Sequence, residues 1–483
     1  MNKRVLLKYI GYMLALEGVF MIPPLIIAAV LRERASIIAF AEVIAFCFLL
    51  GAGGIILKAD FSKVYAKEGY VTVALAWIVL SAVGALPYTL SGSIPNYIDA
   101  LFECISGFTT TGATTLTDIE ALPRSMQYWR CFTNWLGGMG VLIFIIAVMP
   151  RSAGSGTGLH IMKAESPGPS VGKLVPKMRS NARILYGIYV VMTAVMTGLL
   201  IIFRMPVFDA VCISFGTAGT GGISVLSDSC ASYTAEQQVI ITVFMILFGI
   251  SFSLYFLLLT GNLKAFFRDE ETLTYLAIIA VSTLTIMFDL RRLYPHPEEA
   301  LLKSVFHVGS IISSSGFTTT DYNLWPEFSK AVIIILMFIG ACAGSTGGGL
   351  KVSRVIILFK SARLAIRKMI HPQSVKQMRI SGKPISGEVA RGVRVYIGIY
   401  SIIFAISLLL ISVDNLDFTT NFTAVSAALN NVAPGLGDVG PSGNFAGYSA
   451  ISKLVLSADM LIGRLEIFPV LLLFSPTTWR KAR

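Results

Sequence analysis

"SSSGFTTTDY", Ser313–Tyr322, places a run of hydroxyls around one glycine directly after an apolar stretch, and "SGFTTTGATT", Ser106–Thr115, is the same phrase about two hundred residues earlier. Searching outward finds it twice more, at spacings of roughly 95 to 120 residues. The four copies are "YIDALFECISGFTTTGATT" with Gly112, "VFDAVCISFGTAGTGGISV" with Gly221, "LLKSVFHVGSIISSSGFTT" with Gly316 and, most divergent, "NFTAVSAALNNVAPGLGDV" with Gly435. Ten residues before these glycines stand Phe102, Val211, Phe306 and Val425, all apolar. In every copy a segment too short to span a bilayer precedes the polar stretch, and a long apolar run follows. The unit reads as helix, half-helix, loop, helix.

The surroundings are membrane-like. The chain has 483 residues, 55% of them hydrophobic and 14% charged, with a mean hydropathy of +0.73, which excludes a soluble globular domain of this length. Apolar runs near 8–31, 37–57, 70–91, 131–149, 184–203, 238–260, 272–290, 331–350, 396–413 and 453–474 give roughly ten expected spans. No cleavable signal peptide is expected. With the first span retained, about 28 Lys and Arg fall on the cytoplasmic side, about 10 outside and one, Arg464, within a span, so both termini are expected in the cytoplasm. The net charge of +12 follows from these loops and does not call for nucleic acid. Six cysteines without C-x-x-C spacing and four dispersed histidines indicate neither a disulfide framework nor a metal site, and no nucleophile and base constellation suggests an enzyme.

Pro95, Pro206 and Pro297 stand near the starts of the first three half-helices, with Asp99, Asp209 and Glu298 nearby, and Asp414, Asn415 and Asp417 do so in the fourth. Such residues begin helices. The half-helices then aim their carbonyl ends, which attract cations, at the glycine-bearing strands. Irregular backbone at membrane depth is tolerated only where protein buries it or it lines a watery path. Four strands around one axis would present rings of carbonyls able to replace a cation's hydration shell. The expected filter residues are Thr110, Thr111, Gly112, Thr220, Gly221, Ser315, Gly316, Pro434 and Gly435, with K⁺ at these positions as the only metal; Thr109, Ser313 and Ser314 would anchor the strands or line their entrance. Asp118, Asp228, Asp321 and Asp438 follow the glycines and serve either as an outer cation-concentrating ring or as solvated loop carboxylates.

These phrases, "SGFTTTGATT", "GTGGIS", "SSSGFTTTDY" and "APGLGD", with "KAESPGP" at Lys163–Pro169, resemble the TrkH/KtrB/HKT superfamily of potassium transporters, and its TrkH-type pore subunits in particular, over essentially the whole chain. The resemblance implies an all-α polytopic membrane protein with four pseudo-symmetric helix/half-helix/helix pore repeats around a central ion pathway, plus two N-terminal transmembrane helices. It divides the chain into 1–66 (N-terminal helices), 67–160, 161–268 (with a cytoplasmic linker), 269–380 and 381–483. It implies K⁺ uptake across the bacterial cytoplasmic (inner) membrane, a homodimer, membrane lipid around it, and a cytoplasmic TrkA-like ring that binds NAD and adenine nucleotides. Those ligands belong to the partner; this chain shows no dinucleotide-binding pattern and no cofactor is expected in it. A Na⁺-coupled or Na⁺-permeable relative is the alternative, against which Gly112 argues. The fourth copy, lacking the hydroxyl run, departs most from the pattern.

"GACAGSTGGGLKVSR", Gly340–Arg354, interrupts the run after the third strand. Leu350 separates Gly349 from Lys351, so the P-loop pattern is not met. So many glycines make a continuous helix costly. The segment reads either as a small-residue packing patch or, as the resemblance implies, as an intramembrane gate comprising Gly344, Ser345, Thr346, Gly347, Gly348 and Gly349. Arg464 in "SADMLIGRLEIF" is an ionisable group within the last span, where such residues are functional by default. The resemblance puts it in the pore, holding that loop by its carbonyls; pairing with Glu466 or snorkelling to the interface is the alternative. The basic stretch 360–394 reads as a solvated inside loop or a contact for anionic lipid or an acidic partner.

Overall fold

The computed structural model describes residues 3–57, 66–140, 178–373 and 377–479. "KAESPGP" and the end of the expected span 131–149 lie outside them.

The described chain is helical apart from loops and one two-stranded hairpin, Arg379–Ile380 with Lys383–Pro384. It begins with Lys3–Phe20 and Ile22–Leu31, a single apolar span jointed at Met21 just before Pro23 and Pro24, and returns as Arg34–Ile56. The two spans touch backbone to backbone, since a Cβ added at Gly11 would lie 2.8 Å from the Cα of Gly54. Small residues permit that approach, as in other membrane helix pairs.

A three-helix order then recurs four times. Ala66–Gly84, Tyr97–Phe108 and Arg124–Gly138 form the first group, and Met178–Ile202, Val207–Gly219 and Ala235–Phe248 the second. Glu270–Leu290, Pro297–Ile312 and Glu327–Ile339 form the third, and Gly387–Ile411, Phe418–Asn430 and Ala450–Arg464 the fourth. The middle helix of each group is the expected half-helix. Asn96 caps the first through Oδ1, which accepts from the Ile98 N–H at 2.9 Å, and Asp417 caps the fourth by accepting from the Thr420 N–H at 3.0 Å. Pro206 and Pro297 sit at the starts of the second and third. Asp99 and Asp209 tie neighbouring groups together, pairing with Lys453 at 2.6 Å and Arg124 at 3.7 Å.

Among the described residues, six helices are long and apolar enough to cross a membrane, or seven if Ala235–Phe248 and Phe252–Leu259, bent by 91°, are one span. Three of the expected spans are therefore not continuous helices. The third helices of the four groups have 15, 14, 13 and 15 residues, which at about 1.5 Å per residue fall short of a hydrocarbon core of about 30 Å. Expected span 238–260 breaks at Gly249–Ser251, 331–350 at Gly340, and 453–474 at Glu466 and Ile467, whose φ values are 57° and 65°. Apolar runs alone do not reveal these breaks, because the freed backbone groups are satisfied by neighbouring segments rather than by a change of composition.

Candidate ion pathway

Each half-helix ends in the same way. A residue in the left-handed region follows the last turn: Thr110 (φ 57°), Thr220 (55°), Ser314 (61°) and Asn431 (51°). The next N–H reaches back five residues: Thr111 to Ser106 O at 2.9 Å, Gly221 to Gly216 O at 3.1 Å, Ser315 to Ser310 O at 2.8 Å and Val432 to Ala427 O at 3.0 Å. These are Schellman closures of the helix. They fix a common frame, in which the next residues are Gly112, Gly222, Gly316 and Ala433.

Those four residues line one cavity of about 190 Å³. A Cβ on Gly112 would collide with the carbonyl oxygen of Gly221, one on Gly222 with that of Ser315, and one on Gly316 with that of Ala433. The Ala433 N–H donates to Thr111 O at 2.9 Å. The strands thus abut in the cyclic order first, second, third, fourth, first. Glycine is required at 112, 222 and 316 both by positive φ (78°, 63° and 78°) and by these close approaches.

The sequence-based register is corrected in two copies. Gly221 precedes the frame position occupied by Gly222, and Gly435 lies two residues beyond that occupied by Ala433. Gly435 packs against the Thr423 side chain, while Pro434 O turns away to accept from the Tyr322 hydroxyl at 2.8 Å. The counterparts of Phe102 and Phe306 are accordingly Cys212 and Thr423, not Val211 and Val425. Adjacent glycines in "GTGG" and the glycine beyond proline in "APGLG" each offered a plausible letter match; only the helix closure decides between them.

The hydroxyl runs serve chiefly to hold the strands. Thr109 Oγ1 bonds Ile105 O and lies 2.8 Å from Thr111 Oγ1; Ser313 and Ser315 hydroxyls are 2.9 Å apart; Asn431 Nδ2 donates to Thr111 Oγ1 at 3.0 Å. Of the four acidic residues after the strands, Asp118 caps its own turn through the Glu120 and Ala121 N–H groups, and Asp321 accepts from the Asn323 N–H and the Ser442 hydroxyl.

Behind the first two strands lies an ion pair that the sequence reading missed. Glu103 and Arg130 meet at 2.9 Å with side chains 1% and 3% exposed. Glu103 Oε1 accepts from the Thr114 hydroxyl at 2.5 Å and the Thr115 N–H at 2.6 Å, and Arg130 donates to Ser224 O at 3.0 Å. One buried pair therefore braces both strands just past Gly112 and Gly222. The signal was present, since Glu103 is a carboxylate inside "ALFECISGF", an otherwise apolar membrane-depth segment.

Gly340–Lys351 is a non-helical loop with φ of 72° at Gly340 and 73° at Lys351. The Gly348 N–H donates to Ser314 Oγ at 2.5 Å and the Gly349 N–H to Asn430 O at 2.9 Å, so the loop abuts the carbonyl ends of the third and fourth half-helices. A Cβ on Gly347 would lie 2.6 Å from Ser313 O. On the second group's side, Cys342 N–H donates to Gly249 O and Phe252 N–H to Gly344 O, both at 3.0 Å. Glu271 Oε1 clasps the loop's two ends, accepting from the Ala343 N–H at 2.7 Å and the Ser353 N–H at 3.1 Å. Lys351 Nζ, buried, donates to Gly347 O.

Arg464 stands where its helix ends. It donates to Thr346 O of the loop at 2.8 Å and to Gly137 O and Gly138 O, the end of the first group's third helix, at 2.5 and 2.7 Å. Glu466, its sequence-suggested partner, instead bonds Arg354 at 2.6 Å. One guanidinium thus joins the first group, the fourth group and the loop.

Comparison with known proteins agrees with this architecture. Residues 36–481 match the family TrkH, described as a cation transport protein. The chain is 35% identical over 493 aligned residues, covering all of both chains, to the Trk system potassium uptake protein TrkH of Salmonella typhimurium (strain LT2). It is 30% identical to the Trk system potassium uptake protein TrkG of Escherichia coli (strain K12), covering 99% of each. The crystal structure of the potassium transporter TrkH from Vibrio parahaemolyticus superimposes with a TM-score of 0.89 at 30% identity, over 99% of this chain and 100% of that one.

Proposed function

The chain belongs to the TrkH family of cation transport proteins, multi-pass membrane transporters rather than enzymes, and from that premise we propose that it takes up K⁺ through a channel-like pore across the bacterial cytoplasmic membrane. The observation that carries this reading is the shared frame of Gly112, Gly222, Gly316 and Ala433 around one cavity. Backbone carbonyls there replace water around a dehydrating cation, and the half-helices direct the negative ends of their dipoles toward it. Thr110, Thr111, Thr220, Ser315 and Pro434 flank the frame positions as the walls of that filter.

The loop 344–349 is the gate, and Arg464 its latch. The loop lies against the carbonyl ends of two half-helices, and its left-handed glycines let it reposition without side-chain repacking. Helix Val352–Ile370 leads from the loop to the basic stretch and hairpin, the expected docking side for a TrkA-type ring that binds NAD and adenine nucleotides. Two such chains form the working dimer, with one pore in each, surrounded by lipid and with termini in the cytoplasm. The chain serves as five units, 1–66, 67–160, 161–268, 269–380 and 381–483. Expression in a bacterium lacking its own K⁺ uptake systems tests the function: growth at limiting K⁺ is expected, and failure to grow despite membrane insertion contradicts it.

A further inference from the structure

One strand of the ring is out of step with the other three. Gly112, Gly222 and Gly316 have positive φ, whereas Ala433, in the same frame, lies outside the left-handed region. The oxygens that approach Gly112 and Gly222 belong to Gly221 and Ser315, each the residue before its own frame position. The oxygen that approaches Gly316 belongs to Ala433, the frame position itself. The fourth strand's carbonyls are thus displaced by one residue along the chain.

The displacement has a partner. Thr111 is the first-strand counterpart of Gly221 and Ser315, and its carbonyl accepts the Ala433 N–H at 2.9 Å. A carbonyl that accepts an N–H offers a weaker field to a cation, and the N–H itself carries partial positive charge toward the site. Pro434 O, the next acceptor on the fourth strand, is turned to Tyr322. Cation preference depends on the number and field strength of the coordinating oxygens.

We propose that Ala433 is a specificity-determining residue: by holding the fourth strand out of the left-handed region and tying its N–H to Thr111 O, it leaves the filter with its first and fourth walls paired to each other. The proposal rests on the reading of these strands as a cation filter. A cation at this level keeps more of its water than fourfold symmetry would require, which favours the smaller, more strongly hydrated Na⁺ relative to K⁺. Replacing Ala433 by glycine removes the Cβ that disfavours positive φ and lets the fourth strand take the frame of the others.

The test is the K⁺/Na⁺ permeability ratio from bi-ionic reversal potentials of the full chain in liposomes. Ala433→Gly is expected to raise the ratio about fivefold, the scale of one released hydrogen bond. Gly222→Ala, which imposes the fourth strand's constraint on the second, is expected to lower it. Elution volume and melting temperature establish that each variant is folded. A folded Ala433→Gly protein with an unchanged or lower ratio, or with no current, overturns the proposal while a K⁺-selective parent leaves the transport reading intact. A folded parent that passes no cation even with Gly344–Gly348 deleted overturns both.

Discussion

Removing the Arg464 guanidinium should release the gate, and the structure sets the scale. Among the described residues, its carbonyl bonds to Gly137 O and Gly138 O join two helix ends, and the one to Thr346 O holds the loop. A hydrogen bond to a charged group contributes about 1.5–3 kcal/mol, so Arg464→Ala should shift the loop equilibrium toward opening by about 10- to 150-fold. A second effect acts on the open pore, because a fixed positive charge beside the pathway raises the barrier to a cation. Single-channel recording in planar bilayers separates the two: open probability reports the latch, unitary conductance the charge. Arg464→Lys keeps the charge but not the fork that reaches three carbonyls, so it should raise open probability with little change in conductance. If Arg464→Ala folds, inserts and shows the parent's open probability and conductance without any regulatory partner, the guanidinium neither latches the loop nor lies in the ion path.

Deleting Gly344–Gly348 should give high ⁸⁶Rb⁺ flux without a regulator while leaving K⁺ preference nearly intact, since the frame residues lie outside the deleted segment; a deletion protein as closed as the parent would make the loop a packing break. Gly112→Ser should lower K⁺/Na⁺ selectivity, read from reversal potentials, because any Cβ there meets Gly221 O. Glu103→Gln leaves Arg130 buried without its counter-charge, for which a loss of about 3–5 kcal/mol is expected, and a melting temperature in detergent equal to the parent's would refute the bracing role. Glu271→Leu frees both ends of the loop from one carboxylate and should raise basal flux, whereas unchanged flux would assign that carboxylate to packing alone.

Much of the fold was legible because membrane segments announce themselves by composition and because a glycine among hydroxyls recurs after apolar runs too short to span; the letters "SGFTTT" shared by the first and third copies are themselves out of register, setting Gly107 rather than Gly112 opposite Gly316. The four half-helices followed from apolar runs too short to span, bounded by proline and acidic residues. The breaks at 249–251, 340–351 and 465–467 were legible only at 340, where glycine density is high; Glu466 and Ile467 carry no such mark, yet both take positive φ. Arg464 stood out as a charge in an apolar run. A bond to a carbonyl of the loop, here Thr346 O, was expected from the resemblance, but Gly137 and Gly138 were not, since they contribute backbone oxygens that no side chain advertises. The alignment of the four glycine-bearing strands differs from the sequence-based one in the second and fourth copies for the same reason, being fixed by a backbone closure from residue 221 to 216 and from 432 to 427.

The central claim, that four half-helix ends frame a K⁺-selective filter, is tested most directly by the bi-ionic reversal potential of the purified chain in liposomes with K⁺ on one side and Na⁺ on the other. The account predicts a potential displaced toward the K⁺ equilibrium value, and displaced less when Gly112, Gly222 or Gly316 is replaced by serine. A potential near zero, or one favouring Na⁺, that those replacements leave unmoved would contradict it.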